Sequence, residues 1–261
     1  MRPVLLLALL AGGLAAGCTP PRATRVPGSP VVPVRLGPPV FANAYLVLGS
    51  RGPIVVDPGS ASAEDARRLD AALAAHGYAP GDAVLVVATH AHADHAGGAA
   101  RFQALGVPVL GGADDLPAFQ AGRNDTLHAI GPEAAVVKAF LLGDQSFPAF
   151  TPDVLLEAAP GRASLDLSAF GVDGVAVRMP GHTPGSVALL LGSGEALAGD
   201  VVRGGSLGGR LAPSRPVTHY FHDDPVRARG NVRALLRWGA RRVYVGHGGP
   251  LDADRLRAWA D

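Results

Sequence analysis

The sequence predicts a layered α/β domain, and three observations predict it. The 261-residue chain is long enough for one sizeable core and short for two. Apolar residues make up 48% and charged residues only 17%, the balance of a globular rather than a disordered chain. Its apolar runs alternate between strand character and helix character. Pattern alone does not choose among α/β folds.

The first 18 residues stand apart from that domain. Arg2 supplies a positive start, Val4 to Ala16 form a short apolar stretch, and the small residues Ala15, Ala16 and Gly17 precede Cys18. This is a secretory signal, too short to span a bilayer. It resembles the lipobox of bacterial lipoproteins, in which the cysteine is lipidated and becomes the mature N-terminus. That family usually has Leu three residues before the cysteine, where this chain has Ala15, with Leu14 one residue further away. The resemblance implies an exported cell-envelope protein whose only hold on the membrane is an N-terminal lipid anchor. Thr19, rather than Asp, after the cysteine fits the periplasmic side of an outer membrane. Cleavage without lipidation would leave a periplasmic protein instead. Cys18 is the sole cysteine, so the mature domain has no disulfide, thiol nucleophile or thiolate ligand.

Thr19 to Pro33 is rich in Pro, Arg and Gly and reads as an extended tether, leaving 34–261 for the domain. Val40–Leu48 and Pro53–Val56 read as strands joined by a hairpin-like Gly49-Ser50-Arg51-Gly52. Ser62 followed by Asp65 resembles a capping box, opening a helix that runs to about His76 with Gly77 as its stop. Ala83–Thr89 is a continuous apolar run, the mark of a buried strand. A short helix from about Gly97 and a strand at Val107–Leu110 follow. Residues 111–161 are irregular, helical near Asp115–Gln120 and Pro132–Leu142, and read as an insertion over one end of the sheets. Val172–Met179, Val187–Leu191 and Glu195–Ala198 return to strand character. Pro225–Trp238 is helical, Arg242–Val245 a strand, and Asp252–Trp259 a closing helix.

Chemistry concentrates in Thr89-His90-Ala91-His92-Ala93-Asp94-His95, immediately after the buried strand. His90 and His92 point the same way if the chain stays extended for two more residues. Asp94 and His95 come as the chain turns, so they face a second point nearby. A single histidine is usually a surface or core residue; four donors within six positions at a strand end read as a metal site. That site must be built from imidazole and carboxylate.

This H-x-H-x-D-H segment is the one the metallo-β-lactamase superfamily carries, and three further segments resemble that family's pattern in order. They are Pro180-Gly181-His182-Thr183-Pro184-Gly185, Ala198-Gly199-Asp200 and Gly246-His247-Gly248. The resemblance runs from about Phe41 to Pro250, and five of the nine histidines fall on pattern positions. It implies a four-layer αββα sandwich of two mixed sheets with metals at one edge. Carried over residue by residue, it places His90, His92 and His182 on one ion, Asp94, His95 and His247 on the other, and Asp200 between them. Such nitrogen and oxygen donors suit two zinc ions, and iron or manganese would also accept them. Two such cations lower the pKa of a shared water, so that a bridging hydroxide attacks an electrophilic carbon or phosphorus. Asp94 and Asp200, ligands first, are also candidates for orienting that nucleophile.

Other residues carry two readings each. Asp57 ends a strand in Val56-Asp57-Pro58-Gly59; it can accept a ligand histidine's other N–H, or serve as a turn residue. Tyr220 and His222, in His219-Tyr220-Phe221-His222-Asp223-Asp224-Pro225, reach the pocket as oxyanion donor and acid, or pack at the surface. Asp224 before Pro225 reads as a helix N-cap. Arg203 meets an anionic substrate or is simply solvated.

The resulting expectation is a dinuclear hydrolase of a small ester, thioester, lactone or amide. The zinc β-lactamases with a cysteine ligand are excluded by composition; other β-lactamases remain open. The motifs also resemble glyoxalase II, whose additional C-terminal helical domain has little room in the 14 residues after His247. Lactone-hydrolysing relatives share the ligand set, with Tyr220 in the place of their pocket tyrosine. Alternatives of other classes are a single-iron persulfide dioxygenase and a non-catalytic, lipid-tethered binding protein. A net charge of +1 without a basic cluster gives no footprint for nucleic acid. Lys138, the only lysine, argues against Schiff-base chemistry.

Overall fold

Strand structure begins earlier than the Pro-rich composition implies. Val31, Val32 and Val34 build strand β1 (Val31–Arg35), so residues 31–33 belong to the sheet rather than to a tether. Pro33 is tolerated because β1 is an edge strand, where one side of the ladder needs no N–H. The computed structural model describes residues 28–38, 41–124, 127–140, 145–159 and 161–261. Cys18, the expected signal segment and residues 19–27 of the expected tether lie outside the described residues.

The first sheet continues with β2 (Asn43–Gly49), β3 (Gly52–Val56), β4 (Leu85–Val87), β5 (Val109–Gly112) and β6 (Val154–Leu156), in that spatial order. β1 to β3 are antiparallel and β3 to β6 parallel, a mixed sheet. The segment 111–161 is therefore not wholly an insertion. It starts inside β5 and returns as β6 at the sheet's other edge. The second sheet holds β7 (Ser164–Asp166), β8 (Gly174–Arg178), β9 (Val187–Leu191), β10 (Glu195–Leu197), β13 (Arg242–Tyr244) and β14 (Leu251–Asp252). It too is mixed, with β10 and β13 parallel and the other pairs antiparallel. A separate ribbon pairs β11 (Arg203–Ser206) with β12 (Leu211–Val217).

Side-chain alternation divides the apolar residues into layers. Ile54, Val56, Leu85 and Val87 point inward and meet Leu189, Leu191, Leu197 and Tyr244 of the second sheet. Their neighbours Val55 and Val86 point outward, onto Leu69 and Leu73 of helix α1 (Ala63–Ala74) and Phe102 of a short helix at Ala99–Gln103. On the far side, Val243 and Val245 pack against Val232 and Leu235 of the helix Pro225–Arg237 and Leu256 of the helix Ala253–Ala260. Helix, sheet, sheet, helix is the αββα order.

Two helix starts are capped by side chains. Ser62 accepts from the Asp65 N–H at 3.1 Å, but the Asp65 carboxylate does not close a capping box; it takes the N–H groups of Gly37 and Ser60 instead. Asp224 caps the helix at Pro225, accepting from the Arg227 N–H at 2.8 Å.

Candidate metal centre

Parallel strands end at the same edge of a sheet, and all the pattern donors but His182 follow such an end. β3 is followed by Asp57, and β4 by the run from Thr89 to His95. β10 delivers Asp200 and β13 delivers His247; the turns beyond them are tied by Gly246 N–H to Gly199 C=O at 2.9 Å. His182 follows β8. Across the interface the Val187 N–H meets the Thr89 carbonyl at 2.8 Å, closing the two sheets over the site.

Asp200 Oδ2 is the hub. The Nε2 atoms of His90, His95, His182, His219 and His247 lie 3.1 to 3.9 Å from it. His92 Nδ1 is 3.1 Å from His182 Nε2, and Asp94 Oδ2 lies 3.4 Å from His247 Nε2 and 3.5 Å from His95 Nε2. The seven residues carried over from the family pattern thus converge on one point, all but Asp94 buried.

The far side of the rings is already engaged. Asp57 accepts from the Thr89 N–H and hydroxyl, both at 2.8 Å, and faces His95 Nδ1 at 2.9 Å. The Thr89 hydroxyl, having donated to Asp57, accepts from His90 Nδ1 at 2.9 Å. His182 Nδ1 donates to the Phe221 carbonyl at 2.8 Å. With Nδ1 carrying the proton, each ring turns an Nε2 lone pair inward. Among the described residues, His90 Nε2, His95 Nε2 and Asp200 Oδ1 are buried without a hydrogen-bond partner, a costly state for polar atoms unless a cation satisfies them. This donor set fits metal ions. Clusters drawn from it, among them His90, His92 and His182, and Asp94, His95 and His247, bring their ligand atoms within 4.8 Å of one another.

The electrostatics agree. Burial disfavours the ionised carboxylate of Asp200, but His219, His247 and His95 outweigh it and hold its pKa well below the usual range. Burial likewise opposes protonation of His247, yet Asp200 and Asp94 lift it to about 9. His95 is raised in the same way by Asp200, Asp94 and Asp57 against its burial. Burial and neighbouring imidazoles push His90 and His182 down. Without metal, protons on His95 and His247 supply the positive charge that the carboxylates require.

Several supporting residues had no signal in the sequence. Asp115 Oδ2 accepts from the Ala91 N–H and the Thr183 hydroxyl, and its Oδ1 accepts from the Gly185 N–H, fastening the two ligand loops together. Asn124 accepts from the Ala93 N–H, at the start of the turn that bears Asp94 and His95. Asn43 donates to the carbonyls of Val245 and Gly248, holding the His247 loop from the first sheet. His219 was visible only as the first residue of the His219 to Pro225 stretch.

The other candidates divide. His222 is buried beside the cluster, its ring 5.5 Å from that of His182, with Nδ1 unpartnered among the described residues. Tyr220 is turned away: its hydroxyl donates to Glu133 at 3.0 Å, and its ring underlies the Arg203 guanidinium. Arg203 is neither solvated nor turned to substrate, being buried on the carbonyls of Thr218 and Gly205.

The similarities agree with this geometry. A model of the metallo-beta-lactamase superfamily matches residues 37–247. Human metallo-beta-lactamase domain-containing protein 1 is 51% identical over 61 residues, 23% of this chain and 22% of that protein. A hydroxyacylglutathione hydrolase from Anaeromyxobacter dehalogenans is 35% identical over 162 residues, 60% of this chain and 45% of that one. The chain thus matches less than half the length of either curated relative. The crystal structure of a metallo-beta-lactamase family protein from Thermus thermophilus superposes with a TM-score of 0.63 at 25% identity, covering 90% of this chain and 78% of that one. With the family model spanning most of its length and the donors of the pattern gathered at one edge of an αββα sandwich, the chain belongs to the metallo-beta-lactamase superfamily.

Proposed function

We propose that this protein is a dinuclear, zinc-dependent hydrolase of a small ester, thioester, lactone or amide. What carries the reading is the convergence on Asp200 Oδ2 of His90, His95, His182 and His247, the first three with their outward nitrogens already hydrogen-bonded. His90, His92 and His182 would hold one ion, Asp94, His95 and His247 the other, and Asp200 both. Bound there, the ions would supply a water acidic enough to attack at neutral pH and a Lewis acid for the oxygen that becomes anionic.

The chain's own part is to position and to keep charge in place. Asp57 and Thr89 hold His95 and His90 in one tautomer, and the Phe221 carbonyl holds His182. A shallow recess beside the cluster, lined by His92, Leu127, His128, Pro184 and His222, offers the approach for substrate. Burial lowers His222 to about 4, so at pH 7 it is neutral and serves as a hydrogen-bond donor to an oxyanion rather than as a proton source. The 162-residue match to a hydroxyacylglutathione hydrolase makes thioesters the first class to try.

The single-iron oxygenase reading is less favoured because Asp94, His95 and His247 add three donors beyond those one ion needs. Metal quantification and a screen over thioesters, lactones, chromogenic esters and cephalosporins test the proposal. Two zinc ions per chain and hydrolytic turnover are expected, with Asp200→Ala losing at least ~100-fold in activity and part of its metal. One iron per chain, or unchanged turnover in Asp200→Ala, would overturn it.

A further inference from the structure

His219 has no place in the family pattern, yet the fold delivers it into the centre. The ribbon of β11 and β12 leaves the second sheet three residues after Asp200, and Arg203 pairs with Val217 on its return. That register brings residue 219 back beside the residue it started from. The His219 ring is 6% exposed, stacks on His247 with centroids 5.6 Å apart, and meets His182 edge-on at 4.7 Å. Its Nε2 lies 3.1 Å from Asp200 Oδ2, nearer than those of His90, His95, His182 and His247.

The Phe221 carbonyl explains which nitrogen faces inward. It lies 2.8 Å from His182 Nδ1 and 3.1 Å from His219 Nδ1, so its two lone pairs accept from both rings. The Phe221 N–H is also 3.3 Å from His219 Nδ1; pairing with the nearer carbonyl gives both imidazoles the same tautomer, with Nε2 as a lone pair. A lone pair 3.1 Å from a carboxylate oxygen sets two acceptors against each other, an arrangement that a shared cation resolves. His182, Asp200 and His219 also bring their ligand atoms within 4.8 Å of one another, all three buried.

We propose that His219 is an additional metal ligand, a sixth imidazole that joins His182 and Asp200 on the same ion. The inference rests on the metal-centre reading above and adds to it a protein donor on one ion only. With His219 added, that site would offer more protein donors than the one built from Asp94, His95 and His247. The two sites are inequivalent by construction.

Metal binding and spectroscopy test this independently of turnover. Metal-free wild type, His219→Ala and His219→Gln are titrated with Co(II) and with zinc against a chromogenic chelator. The variants are expected to bind one ion at least ~10-fold more weakly than wild type, with altered Co(II) d–d bands that added imidazole restores in His219→Ala. Affinities and bands unchanged from wild type would reduce His219 to a packing residue and overturn the proposal. Should the variants fail to fold, long-range 15N–1H spectra of histidine-labelled wild type decide it. His219 Nε2 shifting to the metal-bound range on zinc addition supports the assignment, and its remaining at the free-imidazole position overturns it. A wild type that binds fewer than two ions counts against the dinuclear reading, while the His219 Nε2 shift still answers for this residue.

Discussion

Asp57 shows how much one side chain can set. It adopts a left-handed backbone conformation, φ 52°, which Asp and Asn tolerate better than other side-bearing residues. That turn brings its carboxylate back over β4, where one oxygen serves both the Thr89 hydroxyl and His95 Nδ1. Asp57→Asn keeps the backbone preference and the volume but replaces one acceptor oxygen with an NH2 group. It should weaken metal binding by about 10- to 100-fold while leaving the fold intact, as measured by chelator competition and circular dichroism. Asp57 was legible in the sequence as an acid at a strand end, with two readings of equal weight. Only the position of His95 chooses between them. The same holds for Tyr220 and His222, two residues apart: one hydroxyl goes to Glu133 and one ring goes beside His182.

Among the elements, the ligand loops depend on groups far from them in sequence. Asp115, in the turn after β5, receives three donors from the loops of His90 and His182 and is itself buried. Asp115→Ala would leave those donors unpaired at about 1–3 kcal/mol each. A loss of at least ~3 kcal/mol in denaturant unfolding is expected, together with weaker metal uptake. Close approach matters as well: a methyl group on Gly246 would overlap Asp200 Oδ1 and the His95 ring, so the residue before His247 has to be glycine. Helices and strands with strong apolar periodicity, such as Ala63–Ala74, Val187–Leu191 and Pro225–Arg237, lie close to where the sequence pattern puts them. The ribbon of β11 and β12 was not legible. Its residues include Arg203-Gly204-Gly205-Ser206 and two prolines, which carry no strand alternation, and its pairing is set by register with a partner strand.

The two sheets meet at the metal centre, and each contributes part of it. Asp57 and the His90 to His95 run come from the first sheet; His182, Asp200 and His247 come from the second. Bound ions therefore join the two halves of the sandwich, and their removal should lower Tm by roughly 10 °C at a large excess of metal over Kd. The pH dependence has a definite sign. His247 is raised from 6.5 to about 9 by Asp200 and Asp94 against its burial, so in the metal-free protein its charged form stabilises the fold fully below about 6.5. That contribution is lost as pH rises through about 9. Metal must displace the same proton, so apparent affinity rises over the same interval. Thermal melts from pH 6.5 to 9 should show metal-free protein losing stability and the gap to metal-loaded protein widening. A constant gap would count against proton displacement at His247.

Local pattern was enough for the layered α/β class and for the spacings of His90, His92, Asp94 and His95, while resemblance to a family pattern added His182, Asp200 and His247. Periodicity and short-range spacing are properties of neighbouring residues, and a chain displays those directly. Folding in three dimensions was needed to choose which carboxylate serves which ring, to make Arg203 a buried structural cation, and to turn Tyr220 outward. It was needed, too, to bring His219 into the centre. Each of those outcomes depends on hydrogen bonds and packing between residues tens to hundreds of positions apart, whose partners are chosen by strand register and loop closure and leave no periodic trace in the chain.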